Sequence, residues 1–212
     1  MVRLWSVCLM AGLVATAPAG PHAQKRRAPR RAAPREVTKA ADVKCPSVLG
    51  RGEKTGRTFC DVLAGRDPDK GILVTLPKHT GAATLTFDLH ARHTYSESES
   101  RAGRGFGHYT VVIGVLTMKG DLISRAAVQT EVRTAADLFD RIGGGAGPSG
   151  LRAVAPAGAE HVSVTIPANV DQVSLLGERL DALTSAGHQT VVLPGSPVAL
   201  VSDIKVEYRP RR

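Results

Sequence analysis

The sequence is poor in aromatic residues and has few cysteines. Aromatic side chains make up 4% of the 212 residues, the single Trp stands at position 5, and there are 3 Cys. No apolar run reaches the 18 or so residues that a membrane helix needs, which excludes an integral membrane protein. Charged residues at 22% and apolar residues at 42% are ordinary proportions, so a wholly disordered chain is excluded as well.

Residues 1–19 have the pattern of a secretory signal peptide. Arg3 supplies a positive charge, residues 4–15 form an apolar stretch too short to span a bilayer, and Ala17-Pro18-Ala19 fits the small-x-small rule for cleavage. We therefore expect an exported protein, in the periplasm or outside the cell. The bias toward Ala, Arg, Gly and Pro is typical of a GC-rich bacterial genome.

Two cysteines remain once the predicted signal peptide, which contains Cys8, is set aside. Cys45 and Cys60 form an even set, as expected in an oxidising compartment. Their spacing resembles no compact zinc-ligand pattern. We predict a structural disulfide between them, worth about 3 kcal/mol in the chain-entropy model.

The positive charge lies at the two ends of the chain. The formal net charge is +9, yet residues 36–208 contain 18 basic and 19 acidic side chains. Residues 20–42 are predicted to be a basic, Pro- and Ala-rich disordered arm, and residues 209–212 a basic tail. A neutral body argues against a specific nucleic-acid partner. The arm instead suggests contact with a cell-envelope polyanion or polysaccharide, through Lys25, Arg26, Arg27, Arg30, Arg31 and Arg35. A plain solvated spacer is the alternative.

Alternating apolar residues dominate the chain after Gly71. In residues 84–90 the side chains of Leu85, Phe87 and Leu89 share one face. Further strands are predicted at 72–76, 109–118, 122–132, 161–166, 173–176, 189–193 and 198–208, with Lys119-Gly120 as a hairpin turn. Eight to ten short strands separated by Pro and Gly are typical of a sandwich or barrel. The predicted fold is all-β, a single jelly-roll-like sandwich over residues 43–208.

One short helix is predicted among these strands, near residues 134–142. Thr134 can cap it, Asp137 completes a capping box, and Leu138, Phe139 and Ile142 would share a face. Residues 145–150 match the G-x-G-x-x-G pattern, but a helix would precede them instead of a strand, so we interpret them as a connection.

The closing segment, residues 198–208, resembles the last strand of galactose-binding-like jelly rolls, which include many carbohydrate-binding modules. The strand at residues 84–89 is similar in style to their core strands. The resemblance implies glycan binding through loops or one sheet face. Such sites commonly use exposed Trp or Tyr platforms, and this chain has no Trp after position 5.

Candidate ligand-binding residues cluster where the strand at residues 84–90 runs into polar sequence. The set consists of Asp88, His90, His93, Tyr95, His108 and Tyr109. Asp88 and His90 lie two apart, so their side chains point to the same face, opposite Leu85 and Phe87. Two imidazoles and a carboxylate could hold zinc, but we prefer to interpret the pattern as a polar strand end that leads into a solvated acidic loop. We therefore predict no metal and no cofactor.

No sequence pattern indicates a nucleophilic enzyme, because G-x-S-x-G does not occur. The leading hypothesis is an exported, non-catalytic binding or envelope-associated module for a glycan or a protein. One alternative is a secreted hydrolase or metal-dependent enzyme that uses Asp88, His90, His93 and His108. Another is an electrostatic tether to polyanions through the arm.

Overall fold

Antiparallel strands dominate residues 35–211, the part of the chain that the computed structural model describes. They are β1 (Val37–Ala40), β2 (Asp42–Lys44), β3 (Val48–Arg51), β4 (Thr58–Leu63), β5 (Ile72–Thr75), β6 (Ala83–Ser96), β7 (Gly107–Thr117), β8 (Leu122–Val132), β9 (Ile142–Gly147), β10 (Gly150–Ile166), β11 (Gln172–Thr184), β12 (Gly187–Val191) and β13 (Pro197–Tyr208). The all-β prediction is confirmed, with thirteen strands in these residues where eight to ten were expected.

The strands form two sheets that together make a sandwich. The seven-stranded sheet has the order β3-β4-β13-β6-β10-β9, with β1 also pairing β13. The six-stranded sheet has the order β2-β5-β11-β7-β8, with β12 also pairing β11. All of these pairings are antiparallel, including the predicted hairpin of β7 and β8 around Lys119-Gly120.

The core lies between the sheets and follows the alternation seen in the sequence. In β6 the buried side chains Leu85, Phe87 and Leu89 face the opposite sheet, where β7 contributes Val111 and Ile113. Burying a side chain of this size contributes about 1.5–3 kcal/mol. The predicted inner face of residues 84–90 is thus confirmed.

Strand pairing begins earlier than the predicted end of the arm at residue 42. Val37–Ala40 pairs with residues 205–208 of β13, and Ala41 donates its N–H to the Ile204 carbonyl at 3.0 Å. Asp42–Lys44 then joins the six-stranded sheet through β5. These residues carry no strong alternation, and the pairing depends on the open edge of β13, which local sequence does not reveal. Residues 1–34, with the predicted signal peptide and most of the arm, lie outside the described part.

The helix predicted near residues 134–142 is a single 3-10 turn, Ala135–Asp137. The capping box of Thr134 and Asp137 is present, so the start signal was right. The turn ends at once because Leu138 forms a bridge with Ala157 of β10, Phe139 packs against Phe59 of β4, and Ile142 opens β9. The α-helix of the described residues, α1 (Glu97–Arg101), occupies the segment interpreted as an acidic loop. Residues 145–150 comprise the end of β9, a turn at residues 148–149 and the first residue of β10, so a strand and not the expected helix leads into them.

Cys45 and Cys60 form the predicted disulfide, with their Cα atoms 5.9 Å apart. Cys60 lies in β4 of the seven-stranded sheet, and Cys45 directly follows β2 of the six-stranded sheet. The bond therefore ties the two layers together at one edge. Within residues 35–211, no helix has the length and apolar character required to cross a membrane.

Candidate functional site

The structure divides the predicted ligand-binding residues between two faces and two sheets. Asp88 and His90 lie on the outer face of the seven-stranded sheet, as their spacing predicted. His93 and Tyr95 face the core, next to Tyr109 of the other sheet. His108 is half-buried on the outer side of the six-stranded sheet, 3.3 Å from the side-chain nitrogen of Gln129. These six side chains are thus three separate groups.

His93 and Tyr109 form a pair inside the sandwich. A hydrogen bond of 2.7 Å joins His93 Nδ1 to the tyrosine oxygen, and the rings meet edge to face at 5.6 Å. Burial lowers the pKa of His93 and raises the pKa of Tyr109, so both groups are neutral near pH 7. This pair satisfies two buried polar groups that bridge the layers.

His90 is fully buried on the outer face of the sheet, between two phenylalanine rings. Its ring lies 4.6 Å from Phe139 and 5.4 Å from Phe59, centre to centre. Its Nδ1 lies 2.6 Å from the Gly158 carbonyl oxygen, which can only accept, so Nδ1 carries the proton. Burial lowers the pKa of His90 although the Gly158 hydrogen bond opposes this, and the ring is neutral.

The second ring nitrogen of His90 bonds Ser202. In the neutral ring Nε2 is an acceptor, and the Ser202 hydroxyl donates to it at 3.0 Å. A serine that donates to a histidine held by a third group is the arrangement of an activated nucleophile. Here both side chains are sealed, with Ser202 1% and His90 0% exposed. The pair therefore acts as a buried polar anchor between β6 and β13.

Asp88 lies beside this anchor and accepts hydrogen bonds from two side chains. Its carboxylate accepts from Arg57 Nη1 at 2.6 Å and from His161 Nδ1 at 2.9 Å. Burial alone would raise the pKa of Asp88, but these hydrogen bonds outweigh it and hold the pKa below its usual value. The Arg57 guanidinium also lies 5.4 Å from the centre of the Phe139 ring.

Asp140 joins the loop at residues 52–57 to the 138–141 segment, whose Phe139 covers His90. Its carboxylate accepts from the backbone N–H of Lys54 and of Thr55, both at 2.9 Å, and from the Thr55 hydroxyl at 2.5 Å. Burial would raise the pKa of Asp140, but the hydrogen bonds lower it. Asp140 falls within the helix predicted near residues 134–142, but the observed turn ends at Asp137 and Asp140 is 2% exposed.

A pocket of about 420 Å³ opens where β13 changes its neighbour. Up to Val201, β13 pairs with β4, and from Lys205 onward it pairs with β1. Among the described strands none pairs with residues 202–204 on this side. We call this the edge pocket. It is lined by the Cys45–Cys60 disulfide, by Ala40, Val43, Val48, Arg57 and Thr58, and by residues 201–205.

A β-bulge shapes the floor of the edge pocket. Opposite β6, Ser202 pairs with Asp88 and Lys205 pairs with Thr86, so two residues of β13 face one of β6. Asp203 occupies this bulge with a φ of +54°, a conformation that costs about 1–2 kcal/mol in most L residues. Lys205 Nζ donates to the Asp203 carboxylate at 2.7 Å.

Sequence reasoning missed the pocket residues Arg57, Ser202, Asp203 and Lys205. The sequence carried no clear signal for them, because residues 198–201 are all apolar and all buried. The alternation therefore does not reveal the bulge that lies between Val201 and Val206.

The structure describes only some of the residues of the other predicted sites. Arg35 is exposed, and the other five basic residues of the arm lie outside the described part. No group of three or more His, Cys, Asp or Glu side chains within residues 35–211 is placed to hold a metal ion.

The comparisons with known proteins assign the chain to no family. No family model and no curated protein matches the sequence. The chain aligns with the crystal structure of the infectious bursal disease virus VP2 subviral particle at 12% identity and a TM-score of 0.24, over 92% of this chain and 46% of that chain. It also aligns with the T13 particle of the same virus at 14% identity and a TM-score of 0.26, over 92% and 44%. The chain spans less than half the length of either, and what is established is its architecture, an all-β sandwich.

Proposed function

We propose that this chain is an exported, non-catalytic binding protein whose ligand occupies the edge pocket. The observation that carries the proposal is the pocket itself. Its volume of about 420 Å³ lies within the roughly 300–1,000 Å³ that is usual for ligand sites. Its lining combines apolar walls with three charged side chains, and a few polar groups among apolar ones are also usual for such sites.

Covalent and hydrogen-bonded contacts hold the framework around the pocket, which favours a binding role. The disulfide fixes one wall, and the bulge at Asp203 holds the floor in a conformation that most residues avoid. Strained backbone of this kind concentrates at functional sites. The buried Ser202–His90 anchor holds the same stretch of β13 against β6.

The disulfide also supports the exported location, because such bonds persist in oxidising compartments. The predicted signal peptide agrees with this. Glycan binding, as implied by the resemblance to carbohydrate-binding modules, is kept as one ligand class to be tested.

The hydrolase alternative gains no support from the arrangement of its residues. Asp88 and His90 lie on an outer face, His93 faces the core, and His108 lies on the other sheet. They share no cleft in which a substrate could meet all four.

A ligand screen by NMR on the isotope-labelled full chain tests the proposal. The probes are a panel of oligosaccharides and small apolar compounds. A ligand should shift the backbone amide signals of Val43, Thr58 and Ile204, which surround the pocket. Ala40→Trp, which places a large ring in the pocket, should abolish the shifts. Ala186→Trp, at an exposed turn, is the matched control. Shifts that survive in Ala40→Trp, or that map elsewhere, contradict the proposal.

The electrostatic tether is a second candidate, favoured by the six basic residues of the arm. Each basic residue near an anionic surface contributes about 1 kcal/mol, and salt screens the attraction. Replacing all six by Gln in the full chain should abolish capture on anionic envelope material at low salt. Unchanged capture would dismiss the tether.

A further inference from the structure

We infer that the edge pocket takes a small organic anion: a molecule with an apolar body and one negatively charged group. This inference rests on the proposed binding function and adds the chemical class of the ligand. It follows from three features of the pocket, namely its apolar walls, the cationic side chains of its lining and the interrupted strand edge.

The walls are suited to an apolar body. Val43, Val48, Val201 and Ile204 surround the space, and the disulfide closes it. Val48 is 62% exposed, so a ligand could cover it. Covering these surfaces yields about 25 cal/mol for each Å² removed from water. A sugar ring, whose hydroxyl groups need many partners, would leave most of them unpaired against such walls.

The cationic side chains of the lining favour an anion. Arg57 and Lys205 line the pocket. Each is paired with one carboxylate, Arg57 with Asp88 and Lys205 with Asp203, but neither pair uses all the N–H donors of its cation. Arg57 donates to Asp88 from a single nitrogen, and a guanidinium has five N–H donors. Both cations are partly accessible, with 35% of the Arg57 side chain and 45% of the Lys205 side chain exposed.

The interrupted edge of β13 adds hydrogen-bonding groups at the same place. Between Val201 and Lys205 the described strands leave this side of β13 unpaired. The Ile204 carbonyl already accepts the N–H of Ala41. Fewer carbonyl oxygens are therefore free here to accept a hydrogen bond from a ligand. Peptide N–H groups at an open strand edge attract acceptors, which again suits an anionic head group.

Two fluorescent probes with the same ring system separate the contribution of charge from that of the apolar body. Anilinonaphthalene sulfonate is anionic, and N-phenylnaphthylamine is neutral. We expect the sulfonate to bind the full chain about fivefold more tightly, the factor that corresponds to about 1 kcal/mol. Lys205→Met should weaken sulfonate binding by about the same factor and leave the neutral probe unchanged. Lys119→Met, at the exposed turn between β7 and β8, is the matched control.

The outcomes distinguish this inference from the proposed function. Ala40→Trp should weaken the binding of both probes. If both probes bind equally and Lys205→Met changes neither, the charge inference is wrong, while loss of binding in Ala40→Trp still supports the pocket. If neither probe binds, or if Ala40→Trp has no effect on binding, both the inference and the proposed function are overturned.

Discussion

Asp140 provides the most direct test of how the cover over His90 is held. Asp140→Ala removes the acceptor for two backbone N–H groups and one hydroxyl of residues 54–55. It also removes the bond from the Arg141 N–H at 2.7 Å. The loop at residues 52–57 would then keep one backbone link to the 138–141 segment, from the Glu53 N–H to the Arg141 carbonyl at 3.0 Å.

The magnitude follows from the number and kind of hydrogen bonds lost. A hydrogen bond to a charged acceptor is worth about 1.5–3 kcal/mol. Lys54 and Thr55 are exposed, so water replaces part of what is lost. We therefore expect the free energy of unfolding to fall by about 2–3 kcal/mol, less than the simple sum. For a domain of this size that corresponds to a drop in Tm of about 5–10 °C.

Urea and thermal unfolding, followed by circular dichroism, measure this loss. Asp137→Ala is the control, because that carboxylate also accepts two backbone N–H groups but is exposed; it should cost about 1 kcal/mol. The pKa of Asp140 is depressed in the fold, so its contribution is full above the ordinary aspartate range. The contribution is lost as pH falls through the folded pKa, below about 3.9. A loss in Asp140→Ala no greater than in Asp137→Ala would refute the argument.

Three further predictions concern stability. Reduction, or Cys45→Ser with Cys60→Ser, should lower the free energy of unfolding by about 3 kcal/mol; equal urea midpoints with and without reductant would contradict this. Because burial depresses the pKa of His90, the unfolded state takes up a proton first, so stability should fall as pH drops below about 6.5. This dependence of stability on pH, measured by urea titrations, should become shallower in His90→Gln. An unchanged slope would contradict the assignment of the pH dependence to His90. Gly52→Ala should cost about 1–3 kcal/mol by thermal unfolding, because the added Cβ would overlap the Asp140 carboxylate; a wild-type Tm would show that the loops yield.

The strands could be predicted because their signal is local. Leu85, Phe87 and Leu89 alternate with polar residues, and a half-buried sheet imposes that period. The same parity rule places His93 on the core face and Asp88 on the outer face. Applied to the residues after His90, the alternation would therefore have separated His93 from Asp88 and His90 on the sequence alone.

The site itself could not be predicted, because it depends on contacts between distant segments. Arg57 reaches Asp88 across 31 positions, and Thr55 reaches Asp140 across 85. The helix expected at residues 134–142 failed for the same reason: Phe139 packs against His90 and Phe59, and this tertiary contact outweighs the local capping signal.

The pairing of Val37 with Tyr208 has a consequence for protein engineering. Opposed residues of antiparallel strands lie about 4.5–5.5 Å apart, so these two positions could be joined by a short peptide bridge. New ends could then be opened at the exposed turn around Lys119 and Gly120. Such a circular permutant should keep both sheets. Any segment that precedes β1 would then be absent from the neighbourhood of the edge pocket. Ligand binding could therefore be measured on the sandwich alone.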